Sequence, residues 1–163
     1  MSWTTCDLCD AHEAVARVPQ LAWRDFGGRV RFAGPIATVK CFEDNSRIKE
    51  IAATPGQGRV LVVDGGGSLR CALVGDMIGA DFQRNGWAGL VVWGAVRDTA
   101  ELGRLELGVK AMGSIPRRSV RRGEGAADVE LAFGGVAWCP GDRLFADEDG
   151  IVLLEPGTVI PQD

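Results

Sequence analysis

The stretch Gly75-Asp76-Met77-Ile78-Gly79-Ala80-Asp81-Phe82 opens a segment that stops at Asn85-Gly86; Leu90-Val91-Val92-Trp93 and then Gly94-Ala95-Val96-Arg97-Asp98 follow it. Ile78 and Phe82 stand four residues apart, with Met77 and Ala80 near the same face, and this spacing predicts a helix. Asp76 is an N-cap residue type and Asn85-Gly86 is a stop signal. Residues 90–93 are apolar β-formers and predict a buried strand. Helix start and strand end then carry Asp76, Arg97 and Asp98 toward one place, if the two elements are neighbours. The N–H groups of Met77 and Ile78 suit an anionic ligand, and Gly75 lets it come close. Arg97 can neutralise a second anionic oxygen with its planar fork. Asp98 can bind a hard divalent cation. The same residues also suit a helix cap and a surface ion pair, and spacing alone leaves both readings open.

Upstream, Thr4 or Thr5 caps a predicted helix running to about Ala16, with Pro19 ending it. Val30–Phe32 and Ile36–Phe42 read as two strands, and Glu43-Asp44-Asn45-Ser46 as the cap of a helix from about Arg47 to Ala53. Val60–Val63 is a continuous β-branched run, the pattern of a central strand covered on both faces. Downstream, Thr99–Leu105 reads as a short helix capped by Thr99, and Leu107–Met112 as a strand. Val129–Phe133, Val136–Cys139 and Ile151–Leu154 alternate with Gly- and Asp-rich turns, which gives a β-rich C-terminal half and a loose tail after Pro156.

A chain of 163 residues with a net charge of -4 fits one globular domain over 1–163. The negative balance argues against general nucleic-acid binding, and no apolar run reaches the roughly 18 residues of a membrane span. The polar N-terminus lacks a signal-peptide pattern, so a cytoplasmic location is expected.

Several clusters carry both a chemical and a plain reading. Cys6-x-x-Cys9 with His12 suggests zinc or redox chemistry, but His12 is the sole histidine and a fourth ligand is missing; thiols on a helix are the plainer reading. Glu43 and Asp44 are candidate metal ligands or simply loop and cap acids. Gly65-Gly66-Gly67 follows a strand as a phosphate loop does, without the Gly-Lys-Ser/Thr ending; a tight turn lying against the active site fits better. Arg117, Arg118, Arg121 and Arg122 form a basic cluster without interleaved aromatics, which favours a solvated or subunit-interface loop over an RNA patch. Asp147-Glu148-Asp149 reads as a polar hairpin rather than a calcium loop.

Asp76, twenty intervening residues, then Arg97-Asp98 resembles the motif of class II 4-hydroxy-4-methyl-2-oxoglutarate aldolases. Phe26-Gly27-Gly28-Arg29, Gly34–Asn45, Val60–Ser68, Gly94–Asp98, Phe133–Val136 and Pro140-Gly141-Asp142 extend a resemblance to the RraA family, regulators of ribonuclease E activity, along nearly the whole chain. The resemblance implies an α/β fold, a three-layer β/β/α swivelling-domain-like sandwich with short flanking helices, assembled as a ring-shaped homotrimer. It also implies two functions. One is cleavage of 4-hydroxy-4-methyl-2-oxoglutarate to two pyruvates, with oxaloacetate decarboxylation as a side reaction. The other is docking on ribonuclease E as an inhibitor of RNA processing; regulator-type members lack the second Asp, which this chain has at Asp98. A methyltransferase activity once attached to the family by name finds no nucleoside-binding glycine fingerprint here.

Retro-aldol cleavage needs a sink for the electrons left on C3, supplied by a Schiff-base lysine or a divalent metal. Lysine occurs only at 40, 49 and 110, outside the motif, so a metal is expected, Mg²⁺ or Mn²⁺. The resemblance implies Asp98 as its direct ligand and the Gly75–Ile78 backbone as the grip on the pyruvyl carboxylate. It implies that Arg97 stabilises the C2 oxyanion, and that Asp76 orients a metal-linked water that moves the proton.

Overall fold

Val60–Asp64 is buried along its whole length, as its unbroken apolar run predicts, and it forms the middle of the sheet. The computed structural model describes residues 2–161. In chain order the elements are α1 (Thr5–Ala11), β1 (Arg24–Asp25), β2 (Phe32–Lys40), α2 (Ser46–Ala52), β3 (Val60–Asp64), β4 (Ala72–Val74), α3 (Asp76–Arg84), β5 (Gly89–Val96), α4 (Thr99–Leu102), β6 (Gly108–Ser114), β7 (Ala126–Ala127), β8 (Leu131–Phe133), β9 (Val136–Trp138), β10 (Arg143–Asp147) and β11 (Gly150–Leu154). The main sheet runs β1-β6-β5-β3-β2-β10-β11, with β4 beside β5 and β7 beside β2; β8 and β9 form a separate hairpin. The central pairs β2–β3, β3–β5 and β5–β6 are parallel, and the β10–β11 flank is antiparallel.

Strand alternation divides the core in two. Leu61, Val63, Leu90, Val92 and Val109 face Ile48 and Ala52 of α2, Ile78 and Phe82 of α3, and Leu102 of α4. Val60, Val62 and Val91 face the other way, against Leu131, Phe133 and Trp138 of the hairpin and Leu144, Ala146, Ile151 and Leu153 of β10–β11. This is the three-layer β/β/α swivelling-domain-like sandwich. A third cluster seats α1 outside β10–β11, with Leu8 against Phe145, Val152 and Leu154. Buried Asp147 fixes that docking by accepting from Thr5 N–H and Thr5 Oγ, each at 2.7 Å.

Several boundaries differ from the sequence reading. α1, capped by Thr4, stops at Ala11 rather than Ala16. Tertiary pairing ends it early: Arg17 exchanges backbone hydrogen bonds with Leu153 and pairs with buried Asp142 at 2.7 Å. The two strands expected around Pro35 are one, β2. Pro35 has no N–H to donate, and it sits where β2 passes from antiparallel pairing with β10 to parallel pairing with β3. α4 ends at Leu102 and is capped by Asp98, not Thr99. Strand β10 forms where the sequence reading has no element. The tail is held, since Arg143 donates to the Thr158 carbonyl at 2.8 Å and Ile160 packs on the third cluster. Gln162 and Asp163 lie outside the described residues.

Candidate active site

β3 and β4 share one flank of β5. β3 pairs with Gly89–Trp93, the chain turns out through Gly65-Gly66-Gly67, and β4 resumes beside Ala95 and Val96. Gly65 and Gly67 both donate to the Trp93 carbonyl at 3.1 Å, and a Cβ on Gly65 would stand 2.8 Å from that oxygen. The glycine run therefore turns the chain on Trp93. It does not line the site cavity, contrary to the expectation that it would lie against the active site.

Beyond this turn β4 and β5 end side by side, with Arg97 N–H donating to the Val74 carbonyl at 2.9 Å. Gly75-Asp76 leaves one strand and Arg97-Asp98 leaves its parallel neighbour, at the C-terminal edge where α/β sheets bind ligands. Gly75, in extended backbone, takes the N-cap position of α3, so Asp76 is the first helical residue rather than the cap. The first three amides of the helix differ in what they bind. Asp76 N–H donates to Asp98 Oδ2 at 3.1 Å, and Met77 N–H to the Asp76 carboxylate at 2.8 Å. Ile78 N–H has no hydrogen-bond partner among the described residues.

Asp98 is in the left-handed region, φ 53 and ψ 44, which a short polar side chain tolerates. There its carbonyl starts α4, by accepting from Leu102 N–H at 2.9 Å, while its carboxylate turns back to α3. Arg97 Nε lies 3.9 Å from Asp98 Oδ2, and Arg97 Nη1 donates to the Pro116 carbonyl at 3.4 Å. Gly75, Asp76, Met77, Ile78, Arg97 and Asp98 thus line one cavity of about 390 Å³. The convergence that the sequence made conditional on neighbouring elements is present.

The same cavity is lined by Asn45, Arg118, Ser119, Val120 and Arg121, which the sequence reading did not place at the site. They arrive because the chain after Pro116 runs beside β4: Ala72 N–H donates to the Arg117 carbonyl at 2.7 Å, and Ser119 N–H to Ala72 at 3.2 Å. The arginine cluster is exposed, as a solvated loop would be, yet two of its members border the cavity. A second cavity of about 530 Å³, lined by Phe42, Glu43, Arg70, Cys71 and Arg122 among others, adjoins through Arg118 and Val120.

Of the other candidates, Asp44 is fully buried and holds the α2 start to this segment. It accepts from Ser46 N–H and Oγ and from the N–H groups of Arg122 and Glu124. Burial pushes its carboxyl up, and these hydrogen bonds outweigh it, holding the pKa down at about 2. Glu43 pairs with Arg70 at 2.6 Å. Both acids are therefore engaged by the protein. Cys6 is exposed beside Asp149, and His12 caps the end of α1.

The donor set at the mouth fits a hard cation. Asp76 and Asp98 offer carboxylate oxygens, and among the described residues no three His, Cys, Asp or Glu side chains come together as a metal-ligating group. One or two carboxylates completed by water suit Mg²⁺ or Mn²⁺, whereas zinc takes three or four protein ligands rich in nitrogen and sulfur.

The RraA-like family model, described as Aldolase/RraA, matches residues 5–153. A protein of Alkalilimnicola ehrlichii named "Putative 4-hydroxy-4-methyl-2-oxoglutarate aldolase" is 58% identical, over 98% of this chain and 99% of its own. The structure of the RNA-processing inhibitor RraA from Thermus thermophilis superposes with a TM-score of 0.94 at 43% identity, over 98% of this chain and 96% of that one. A structure from Geobacillus kaustophilus, described as an S-adenosylmethionine: 2-dimethylmenaquinone methyltransferase, also gives 0.94 and 43%, over 99% of this chain and 100% of that one. With its fold and nearly its whole length matched, the chain belongs to the RraA-like family, Aldolase/RraA.

Proposed function

We propose that this chain, as one catalytic domain, is a divalent-metal-dependent class II aldolase that cleaves 4-hydroxy-4-methyl-2-oxoglutarate to two pyruvates. The observation that carries the reading is the shared cavity of Asp76, Arg97 and Asp98, tied together by the Asp76 N–H to Asp98 Oδ2 bond. Asp98, completed by water, would hold Mg²⁺ or Mn²⁺. When bound, that ion supplies the Lewis acidity that stabilises charge on a 2-oxo acid.

The rest of the work falls to side chains and amides. The substrate's pyruvyl carboxylate takes the open N–H of Ile78 and competes with the Asp76 side chain for that of Met77, at the positive end of α3. Gly75 leaves room for it. Released from Met77, the Asp76 carboxylate orients a water that moves the proton between the C4 oxygen and the C3 carbon. Arg97 offers its fork to the C2 oxygen, where negative charge grows as the C3–C4 bond breaks. The same charge develops when oxaloacetate loses carbon dioxide, so decarboxylation is a side reaction of this site.

The working form is a homotrimer in the cytoplasm. Exposed Met77, Phe42 and Val120 around the two cavities are apolar surface that a second copy would cover. No helix of the described residues is long and apolar enough to cross a membrane. A second reading, a regulator that docks on ribonuclease E, is in keeping with the Thermus relative's description as an RNA-processing inhibitor; Asp98 after Arg97 favours catalysis. A coupled assay for pyruvate, with 4-hydroxy-4-methyl-2-oxoglutarate and with oxaloacetate, in Mg²⁺ and in EDTA, tests the reading. Release that EDTA abolishes supports it, and no release with either substrate refutes it.

A further inference from the structure

We infer that Arg118-Ser119-Val120-Arg121 forms the specificity wall of the cavity, where Arg121 and Ser119 select 2-oxo acids that carry a second carboxylate. The inference rests on the aldolase reading for the position of the first carboxylate.

The wall is built, not a loose loop. Its backbone is bonded to β4 through Ala72 on one side. On the other, Asn45 N–H donates to the Val120 carbonyl at 3.3 Å and Val120 N–H to the Glu43 carbonyl at 3.2 Å. Ser119, 9% exposed, lines the cavity, and its Oγ is buried without a hydrogen-bond partner. A buried hydroxyl in that state is destabilising until something pairs with it. Rotation about its χ1 would sacrifice no hydrogen bond.

Arg121 is aimed by a relay. The Leu73 carbonyl accepts from Asn45 Nδ2 at 3.1 Å, which leaves Asn45 Oδ1 to accept from Arg121 Nε at 3.1 Å. Among the described residues neither Arg121 nor Arg118 has a carboxylate partner, although both line the cavity. The cavity thus carries three guanidinium groups, of Arg97, Arg118 and Arg121, against the carboxylates of Asp76 and Asp98. With Arg97 at the C2 oxygen, a substrate with one carboxylate leaves the wall's cations unpaired. A second carboxylate gives Arg121 a planar partner and Ser119 an acceptor.

The test is calorimetric binding, in Mg²⁺ buffer, of two acids that the enzyme does not cleave because they lack the C4 hydroxyl. 2-Oxoglutarate has the second carboxylate, and 2-oxobutanoate lacks it. The wild type binds 2-oxoglutarate about 10- to 100-fold more tightly, the scale of a charge-assisted hydrogen bond. Arg121→Gln brings that ratio near one and leaves 2-oxobutanoate binding unchanged. Ser119→Ala reduces the ratio several-fold without lowering the melting temperature, since the orphaned hydroxyl is gone. Equal binding of both acids by a wild type that releases pyruvate overturns the wall alone, as does an Arg121→Gln loss that is the same for both. Binding of neither acid by a wild type that releases pyruvate likewise overturns the wall alone, whereas a wild type that releases no pyruvate overturns the aldolase reading and the wall with it.

Discussion

Asp76 and Asp98, twenty-two positions apart, are joined by a hydrogen bond of 3.1 Å from the amide of the first to Oδ2 of the second. The bond places a carboxylate at the positive start of α3 and ties the helix to the turn that follows β5. Gly75 stands beside it, and a Cβ there would fall 2.6 Å from the same oxygen. The mouth of the site is therefore shaped by a glycine at which a methyl group could be seated only by moving the Asp98 carboxylate.

Gly75→Ala should displace the Asp98 carboxylate, which is short and half exposed, and leave the core alone. Turnover is expected to fall about 100-fold, the cost of misplacing a catalytic group by about 1 Å. Pyruvate release measured beside a thermal melt checks it: kcat should drop at a nearly unchanged Tm.

Arg97→Lys keeps a cation and loses the fork. If Arg97 meets the charge growing on the C2 oxygen, kcat should fall roughly 100- to 1000-fold with a smaller change in KM. Steady-state kinetics near the wild-type values would remove Arg97 from that role.

Asp44 sets an acid limit. Its folded pKa, about 2, lies below the ordinary 3.8, so it adds stability that is complete above that ordinary value and is lost as pH falls toward about 2. Asp147, lowered against its own burial by bonds from Thr5 and Asp149, acts in the same direction. Urea titrations at a series of pH values should show stability dropping across this window. Asp44→Asn should be less stable at neutral pH and show a flatter drop.

Local pattern carried the parts of the fold that local forces decide. The 60–63 run and the four-residue spacing of Ile78 and Phe82 report burial directly, and both elements formed where expected. The residues missed were set by distant partners. α1 is cut short by Arg17 pairing with Leu153, and β2 runs through Pro35 because its hydrogen-bond partner changes there. At the site, Asp76, Arg97 and Asp98 were legible as residue types that suit anions and cations. Arg118, Ser119 and Arg121 reach the cavity only because β6 ends beside β5 and the following chain turns along β4. No spacing in the sequence reports that route.

The proposed reaction rests most on Asp98 as the residue that makes pyruvate release depend on a divalent cation. The deciding measurement is pyruvate formation from 4-hydroxy-4-methyl-2-oxoglutarate by wild type and Asp98→Ala, each in Mg²⁺ and in EDTA, with melting temperatures recorded alongside. Wild type should release pyruvate in Mg²⁺ and not in EDTA, while Asp98→Ala should stay folded and release none in either. A folded Asp98→Ala protein that turns over in Mg²⁺ at the wild-type rate would contradict it.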